Sequence, residues 1–435
     1  MKNIFRKLWY LLIFMLPFEI LQISIQGFQI RIYQVIILIV LLLSIYLYRD
    51  NIQSKINYIL KNIFNLEIYY QNIYLILFTL IWIIASISGY FYGGDINQSF
   101  IKSAIALLYL ILFIIIFYGI RNKNQLYNVF KTLFYSTGVL ILIGVYEGIA
   151  FKFGWNTFTV FDGRVDSLLP EPNWLAMFLT IIYAILLPIQ LNLQKKWSLW
   201  YLMLGLLFIV IASLTRASWL AIFIITGIFF LRNIIWGDKK KNLLKYMTSI
   251  AITIFLAVIL SQTGITGFNL KDRALSIFTQ DMVYYDKEIT QYNQDEEISK
   301  NIEKDINIIK RQDDYNNALE IGTEYFLTGV GFNGYEHRVG DGRNASNLFL
   351  GVFVSSGIIG VSILFTIFYT LVKQSFFFYS SDTKLSNIIL NIILAITITG
   401  MFNDPYLMGF LWIILAIVTR IPDIIIDDDL DHKSN

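Results

Sequence analysis

Stretches of mostly apolar residues recur along the whole chain, and no other feature restricts its fold as much. A helix needs about 20 such residues to cross a bilayer. Twelve stretches read as spans: 8–24, 30–48, 73–92, 100–120, 127–151, 173–193, 197–215, 216–236, 243–263, 347–372, 385–402 and 404–420. Pro17 and Glu19 interrupt the first of them. In hydrocarbon every backbone N–H and C=O must find a partner within the protein, which leaves helices as the option for an open chain. The expectation is an all-α polytopic membrane protein. It forms one membrane-embedded domain over 1–435, with about twelve transmembrane helices.

One long polar segment, 264–346, separates the ninth and tenth stretches and has room for soluble structure. Residues 299–326 read as an amphipathic helix within it, with Ile302, Ile306 and Ile309, then Tyr315, Ala318 and Leu319, spaced three or four apart. Arg311 lies on this helix one turn before Tyr315. The segment carries nine Lys/Arg against fifteen Asp/Glu. An anion site there needs particular arginines, because the surrounding field is negative.

Lys and Arg outside the large loop are divided unevenly, twenty at one side of the bundle and five at the other. The positive-inside rule then predicts both termini in the cytoplasm and 264–346 outside. The start of the chain (Lys2, Arg6, Lys7, then an apolar run) mimics a signal peptide, but no small-residue cleavage site follows, so it reads as a retained first span. With 56% hydrophobic and 15% charged residues, a soluble domain is excluded. A net charge of +3 is too small to suggest nucleic acid. The absence of cysteine removes disulfides and thiolate chemistry, and two histidines, His337 and His432, cannot build a His-rich metal centre. No metal or other cofactor is expected.

Three junctions where helices begin on the outer side are richer in polar residues than the helices they open: 166–174, 213–219 and 344–350. Helix N-termini present unpaired N–H groups and a positive dipole end, as anion sites do. Each junction also has a purely structural reading. Arg216 can be a snorkelling interfacial charge, and Arg311 a solvated residue paired with Asp313 or Asp314. Ser346 can be the N-cap of the tenth span, and Glu171-Pro-Asn a turn opening the sixth. Residues 329–334 can be a turn, Gly357 and Gly360 sites of close helix packing, and Glu147 a paired interfacial carboxylate.

At these residues the chain resembles the O-antigen ligase and O-antigen polymerase superfamily of bacterial membrane glycosyltransferases. Leu214-Thr-Arg-Ala-Ser-Trp219 is similar to its S-x-S-R-x-x-W/A hairpin, and Glu171-Pro-Asn-Trp-Leu-Ala176 to its (N/D)-P-N-x-x-A entry. Arg311-x-x-x-Tyr315 with Thr328-Gly-Val-Gly-Phe332 is similar to R-x-x-x-W…P-x-x-G-x-G in its external loop. Ser346-Asn-Leu-Phe-Leu with Gly357-Ile-Ile-Gly360 is similar to H-N-x-Y/F-L…G-x-x-G. The order and spacing agree over most of 151–366.

The resemblance implies metal-independent transfer of an oligosaccharide from undecaprenyl diphosphate to a glycan or lipid-glycan acceptor. The reaction would run at the outer face of the bacterial cytoplasmic membrane, in surface polysaccharide synthesis. Membrane lipids, and a chain-length regulator or a flippase, are the implied partners. Arg216 and Arg311 would hold the diphosphate, since a guanidinium grips phosphate oxygens bidentately and stays charged. Glu171, Asn173, Tyr315, Ser346 and Asn347 would line the substrate site. The family's His before Asn-x-Phe-Leu is Ser346 here, and a serine alone is no general base at neutral pH. His337 is the nearest imidazole in sequence, and Asp341, Glu171 and Asp166 are carboxylate alternatives. The missing His tilts the reading from ligase towards polymerase. A transporter or flippase of lipid-linked glycan is the alternative, but it should show mid-membrane ionisable residues and related halves. Here the charges cluster at span ends, and the halves share no visible similarity.

Overall fold

The computed structural model describes residues 2–25, 28–61, 73–157, 164–192, 197–236, 240–261, 281–283, 302–304, 306–340, 345–404 and 408–434. Within them the chain forms α1 (Lys2–Met15), β1 (Gln22–Ile25), β2 (Phe28–Arg31), α2 (Ile32–Lys61), α3 (Ile73–Tyr92), α4 (Ile96–Gly119) and α5 (Lys123–Phe153). Then come α6 (Pro172–Asn192), α7 (Trp197–Ala212), α8 (Arg216–Trp236), α9 (Lys240–Ser261), β3 (Asp281–Val283) and β4 (Ile302–Lys304). The chain continues through α10 (Ile306–Glu324), α11 (Gly334–Val339), α12 (Leu348–Phe377), α13 (Thr383–Gly400) and α14 (Gly409–Ser434). Among the described residues, nine helices are long and apolar enough to cross a membrane; α2 and α7 hold shorter apolar runs, Ile32–Leu47 and Trp197–Ala212. The protein is an all-α polytopic membrane protein. Its two small antiparallel strand pairs, β1–β2 and β3–β4, lie outside these runs.

Helices α6, α13 and α14 form the centre of the bundle. In α6, 89% of the spanning window is buried, against 28% in peripheral α9. Helix α13 packs on α6, α8, α12 and α14, while α14 packs along α4. Phe178 of α6 meets Phe410 of α14 edge to face, with ring centroids 5.7 Å apart.

The stretch 8–24 is not one helix. Helix α1 stops at Met15, and β1 pairs with β2 from Gln22–Arg31 inwards. Pro17 disfavours helical geometry in the residue before it. Glu19, fully buried, then pairs with Arg31 at 2.9 Å and accepts from the Tyr33 hydroxyl at 3.1 Å. A buried charge needs such partners, so the chain doubles back to supply them. The amphipathic helix of the large loop starts at Ile306, with Ile302 on β4; residues 299–301, and most of 264–301, lie outside the described residues. Its inward face carries Arg311, Asp314, Tyr315 and Ala318, whereas Leu319 is exposed.

Helix α10 lies on α12, and the loop after it is wedged between α3 and a break in α12. At Gly357 the backbone takes φ +64 and ψ −165, which only glycine tolerates cheaply. Loop 326–330 satisfies the interrupted ladder: Ile358 N donates to Phe326 O at 2.8 Å, and Val330 N to Val354 O at 2.7 Å. On the other side Phe332 N donates to Ala85 O at 3.1 Å, and Ser88 Oγ to Thr328 O at 3.0 Å. Gly331, at φ +75, lies so close to α3 that a Cβ would fall 1.7 Å from Gly89 N. Gly331→Ala therefore combines left-handed strain of about 1–2 kcal/mol with overpacking of about 1–3 kcal/mol. Its thermal midpoint in detergent should drop clearly below wild type. Gly227→Ala, with nothing within 4 Å of the added methyl, should not drop. Equal midpoints for the two variants would contradict the wedge.

Candidate active site at the capped end of the bundle

Polar side chains collect in two groups, one joining the starts of α6 and α8 and the other joining α10, the start of α12 and the end of α13. Pro172 opens α6, where its missing N–H costs nothing. Glu171 O accepts Trp174 N at 3.1 Å and Leu175 N at 3.2 Å. Thr215 does the same for α8, accepting Ser218 N at 3.1 Å and Trp219 N at 3.3 Å. Trp219 Nε1 donates back to Val210 O at 3.2 Å, which closes the hairpin between α7 and α8. Arg216 is thus the first residue of α8, a cation at the positive end of a helix.

Arg164 ties these two helix starts together. Its Nε donates to Ser213 O at 3.0 Å, and its guanidinium also donates to Asn173 Oδ1 at 3.0 Å and Thr215 Oγ1 at 3.4 Å. Thr215 Oγ1 in turn donates to Asn173 Oδ1 at 3.2 Å. Asn173, expected to bind substrate, is a joint between the first two junctions. Arg164 matches no motif and reads in the sequence only as one external charge. Glu171 lies in the fields of both Arg164 and Arg311; burial raises its pKa and the two guanidinium groups pull it down. Arg311 of α10 therefore lies near enough to act on the Glu171 charge.

One turn beyond Arg311, Asp314 is buried and accepts a hydrogen bond from Ser346 Oγ at 2.6 Å. Ser346 is not the N-cap of α12. That role falls to Asn347, whose Oδ1 accepts Phe349 N at 2.8 Å and Leu350 N at 3.1 Å. Tyr315 Oη and Asn347 Nδ2 both donate to Met401 O, at 2.7 and 2.9 Å, so α10, α12 and the end of α13 share one acceptor. His337 is placed elsewhere on the cap. It is exposed on α11 and packs against Gly94 in the turn between α3 and α4, where a Cβ would fall 1.9 Å from its ring. Asp341 lies outside the described residues.

A cavity of about 50 Å³ is bounded by Tyr335, Ala345, Gly351, Asp404, Lys102 and Glu336 among others, and Asp314 and Ser346 are not among its lining residues. Lys102 and Glu336 form an ion pair of 2.6 Å on its wall. Gly351 lets the Asp404 carboxylate approach α12, since a Cβ there would fall 2.4 Å from Oδ2. Among the described residues no three His, Asp or Glu side chains are grouped as metal ligands.

Backbone strain marks the same places. Among the described residues the non-glycine positions with positive φ are Ser167 (54°), Leu214 (56°), Asn333 (69°) and Ser346 (51°). Each falls in a different one of the polar junctions or the glycine-rich loop. Such conformations persist where the surroundings over-determine them, commonly at functional sites. Ser167 is held by donating its N–H to Glu147 Oε2 at 2.8 Å and its hydroxyl to Leu140 O at 3.0 Å.

Beside Ser167, burial pushes the Asp166 carboxyl up to about 7, against the lowering effects of a backbone hydrogen bond and of Arg164. Unfolded, an aspartate ionises near pH 3.9, so the folded chain holds this proton more tightly. The stabilising contribution is complete below about pH 4 and is lost as pH rises through about 7. Asp166→Asn should therefore flatten the fall in thermal midpoint between pH 5 and pH 8. A variant that falls as steeply as wild type would remove Asp166 as its source.

Residues 200–365 match the model of a family described as O-antigen ligase. The matched region runs from α7 into α12 and includes the 213–219 hairpin, Arg311, the glycine wedge and Ser346-Asn347; Arg164, Glu171 and Asn173 lie before it. No curated protein matches the chain. The chain is a multi-pass bacterial membrane protein, and over residues 200–365, which hold the second and third polar junctions, it is similar to the O-antigen ligase family.

Proposed function

We propose that the chain transfers an oligosaccharide from undecaprenyl diphosphate to an acceptor glycan or lipid-glycan. The site opens at the outer face of the cytoplasmic membrane and works without a metal. The observation that carries this reading is the Arg164 guanidinium, which donates to Ser213 O, Asn173 Oδ1 and Thr215 Oγ1 at a junction where two helices begin, with Arg311 near enough to act on Glu171 beside it. The positive potential is focused on one spot by arginines from separate parts of the chain and by helix N-termini. A diphosphate carries more charge than one carboxylate and is better suited to bidentate contact with guanidinium groups.

In the reaction, negative charge grows on the diphosphate as its bond to the anomeric carbon breaks. Preorganised donors aimed at that charge lower the barrier, and removing one costs roughly 10²–10³ in rate. Arg216 and Arg311 fill this role in the proposal, with Arg164 and Asn173 fixing the two helix starts. The lipid tail requires the donor site to lie near the membrane surface, as the start of an apolar helix does. The acceptor approaches from the side of α12, where Tyr315, Ser346 and Asn347 lie. Without the family's His, polymerisation is favoured over ligation.

The orientation has its own test. Lys240→Cys should react with an impermeant maleimide only after the membrane is permeabilised, and Gln291→Cys without permeabilisation. The opposite pattern would put the site on the wrong side for this chemistry. The diphosphate grip is tested by Arg311→Lys, which keeps the charge and loses the fork. Glycan transfer at matched expression should fall by about 10²-fold. Transfer at the wild-type rate would discard Arg311 as a diphosphate ligand.

A further inference from the structure

We propose that Asp314 replaces the missing imidazole, taking up the proton of the acceptor hydroxyl by way of Ser346. This rests on the glycosyl-transfer reading and adds the acceptor half of its mechanism. The observation is the 2.6 Å hydrogen bond from Ser346 Oγ to Asp314 Oδ2, with Asp314 only 2% exposed. Opening α12 does not require this pair, because Asn347 already caps the helix. A buried carboxylate facing a serine is a costly way to tie two elements together.

The pair is held from three sides. Tyr315 and Asn347, the residues that follow Asp314 and Ser346, both donate to Met401 O. Tyr335 Oη donates to Asp314 O at 3.2 Å. Ser346 keeps a left-handed φ of 51°, which a serine adopts at a cost, and this aims its hydroxyl at the carboxylate. Arg311 stands one turn earlier on the same face of α10, so proton acceptor and diphosphate ligand start about 5–6 Å apart.

The step balances as follows in atoms and charge. The acceptor oxygen bonds to the anomeric carbon while that carbon's bond to the diphosphate oxygen breaks, and the electron pair leaves with the diphosphate. The acceptor's proton moves to Ser346 Oγ as the serine's own proton moves to Asp314 Oδ2. Asp314 ends neutral, and undecaprenyl diphosphate carries the negative charge. Ser346 touches the acceptor; Asp314 acts through it.

The test uses the full-length chain in liposomes, with undecaprenyl-diphosphate-linked glycan extracted from its source membranes as both donor and acceptor. In Asp314→Asn and in Ser346→Gly, a change the left-handed backbone favours, kcat should fall by about 10²–10⁴ with donor KM unchanged. Adding Ser346→His to Asp314→Asn should recover transfer at least about tenfold, because an imidazole takes the proton itself. A merely structural tie would raise KM or lose the folded protein, and the imidazole would restore nothing; that result overturns the proposal. If Asp314→Asn does not accumulate, Ser346→Gly decides alone, and wild-type transfer by it is equally fatal. A wild-type chain that transfers nothing overturns the glycosyl-transfer reading and this assignment with it. An active wild type matched by Asp314→Asn overturns this assignment only.

Discussion

The arrangement of the capped end depends on a break in one apolar helix and on the loop that fills it. A helix interrupted at Gly357 exposes backbone donors and acceptors, and in a membrane protein these must be met by protein groups. Residues 326–330 meet them, and the same loop is pinned to α3 through Ala85 and Ser88. Because α10 precedes that loop directly, its height and direction over α12 follow from the joint. The glycines at 329, 331 and 357 are where two backbones pass too close for a Cβ. Arg311, Asp314 and Tyr315 take their places from this joint.

A second constraint is electrostatic. Positive charge at a helix N-terminus is disfavoured by the dipole, yet Arg216 begins α8 and Arg164 is bonded to the starts of α6 and α8. Glu171 lies near enough to Arg164 and Arg311 to feel both charges. The large loop is acidic as a whole, so the positive potential stays local to these arginines. Such a site favours a compact, highly charged anion over a general polyanion, in keeping with a diphosphate as the proposed ligand.

The proposed acceptor side is built differently. It consists of neutral donors converging on one carbonyl, Met401 O, with a buried carboxylate behind a serine. Separating a cationic donor half from a carboxylate-bearing acceptor half along one face of α10 keeps the two charges a helical turn apart. One rigid element then sets both ends of the proposed displacement.

The apolar stretches by themselves determined the fold class, because no other architecture satisfies so much backbone in lipid. Local chemistry also made the starts of α6, α8 and α12 visible to within a residue, and periodicity gave Tyr315 and Ala318 on the inward face of α10 but not the exposed Leu319 or Ile302, which lies on β4. Only the tertiary structure decided the end of α1, since burying Glu19 against Arg31 depends on a contact across the hairpin. It also decided the roles of Arg164, Asp314 and Ser346. Arg164 belongs to no motif. Asp314 looked like one of two solvated charges on a helix, and Ser346 looked like a cap. Their partners lie 9 to 51 residues away in sequence. Hydrogen bonds over such separations leave no periodic trace, because the folded backbone, not side-chain spacing, brings their ends together.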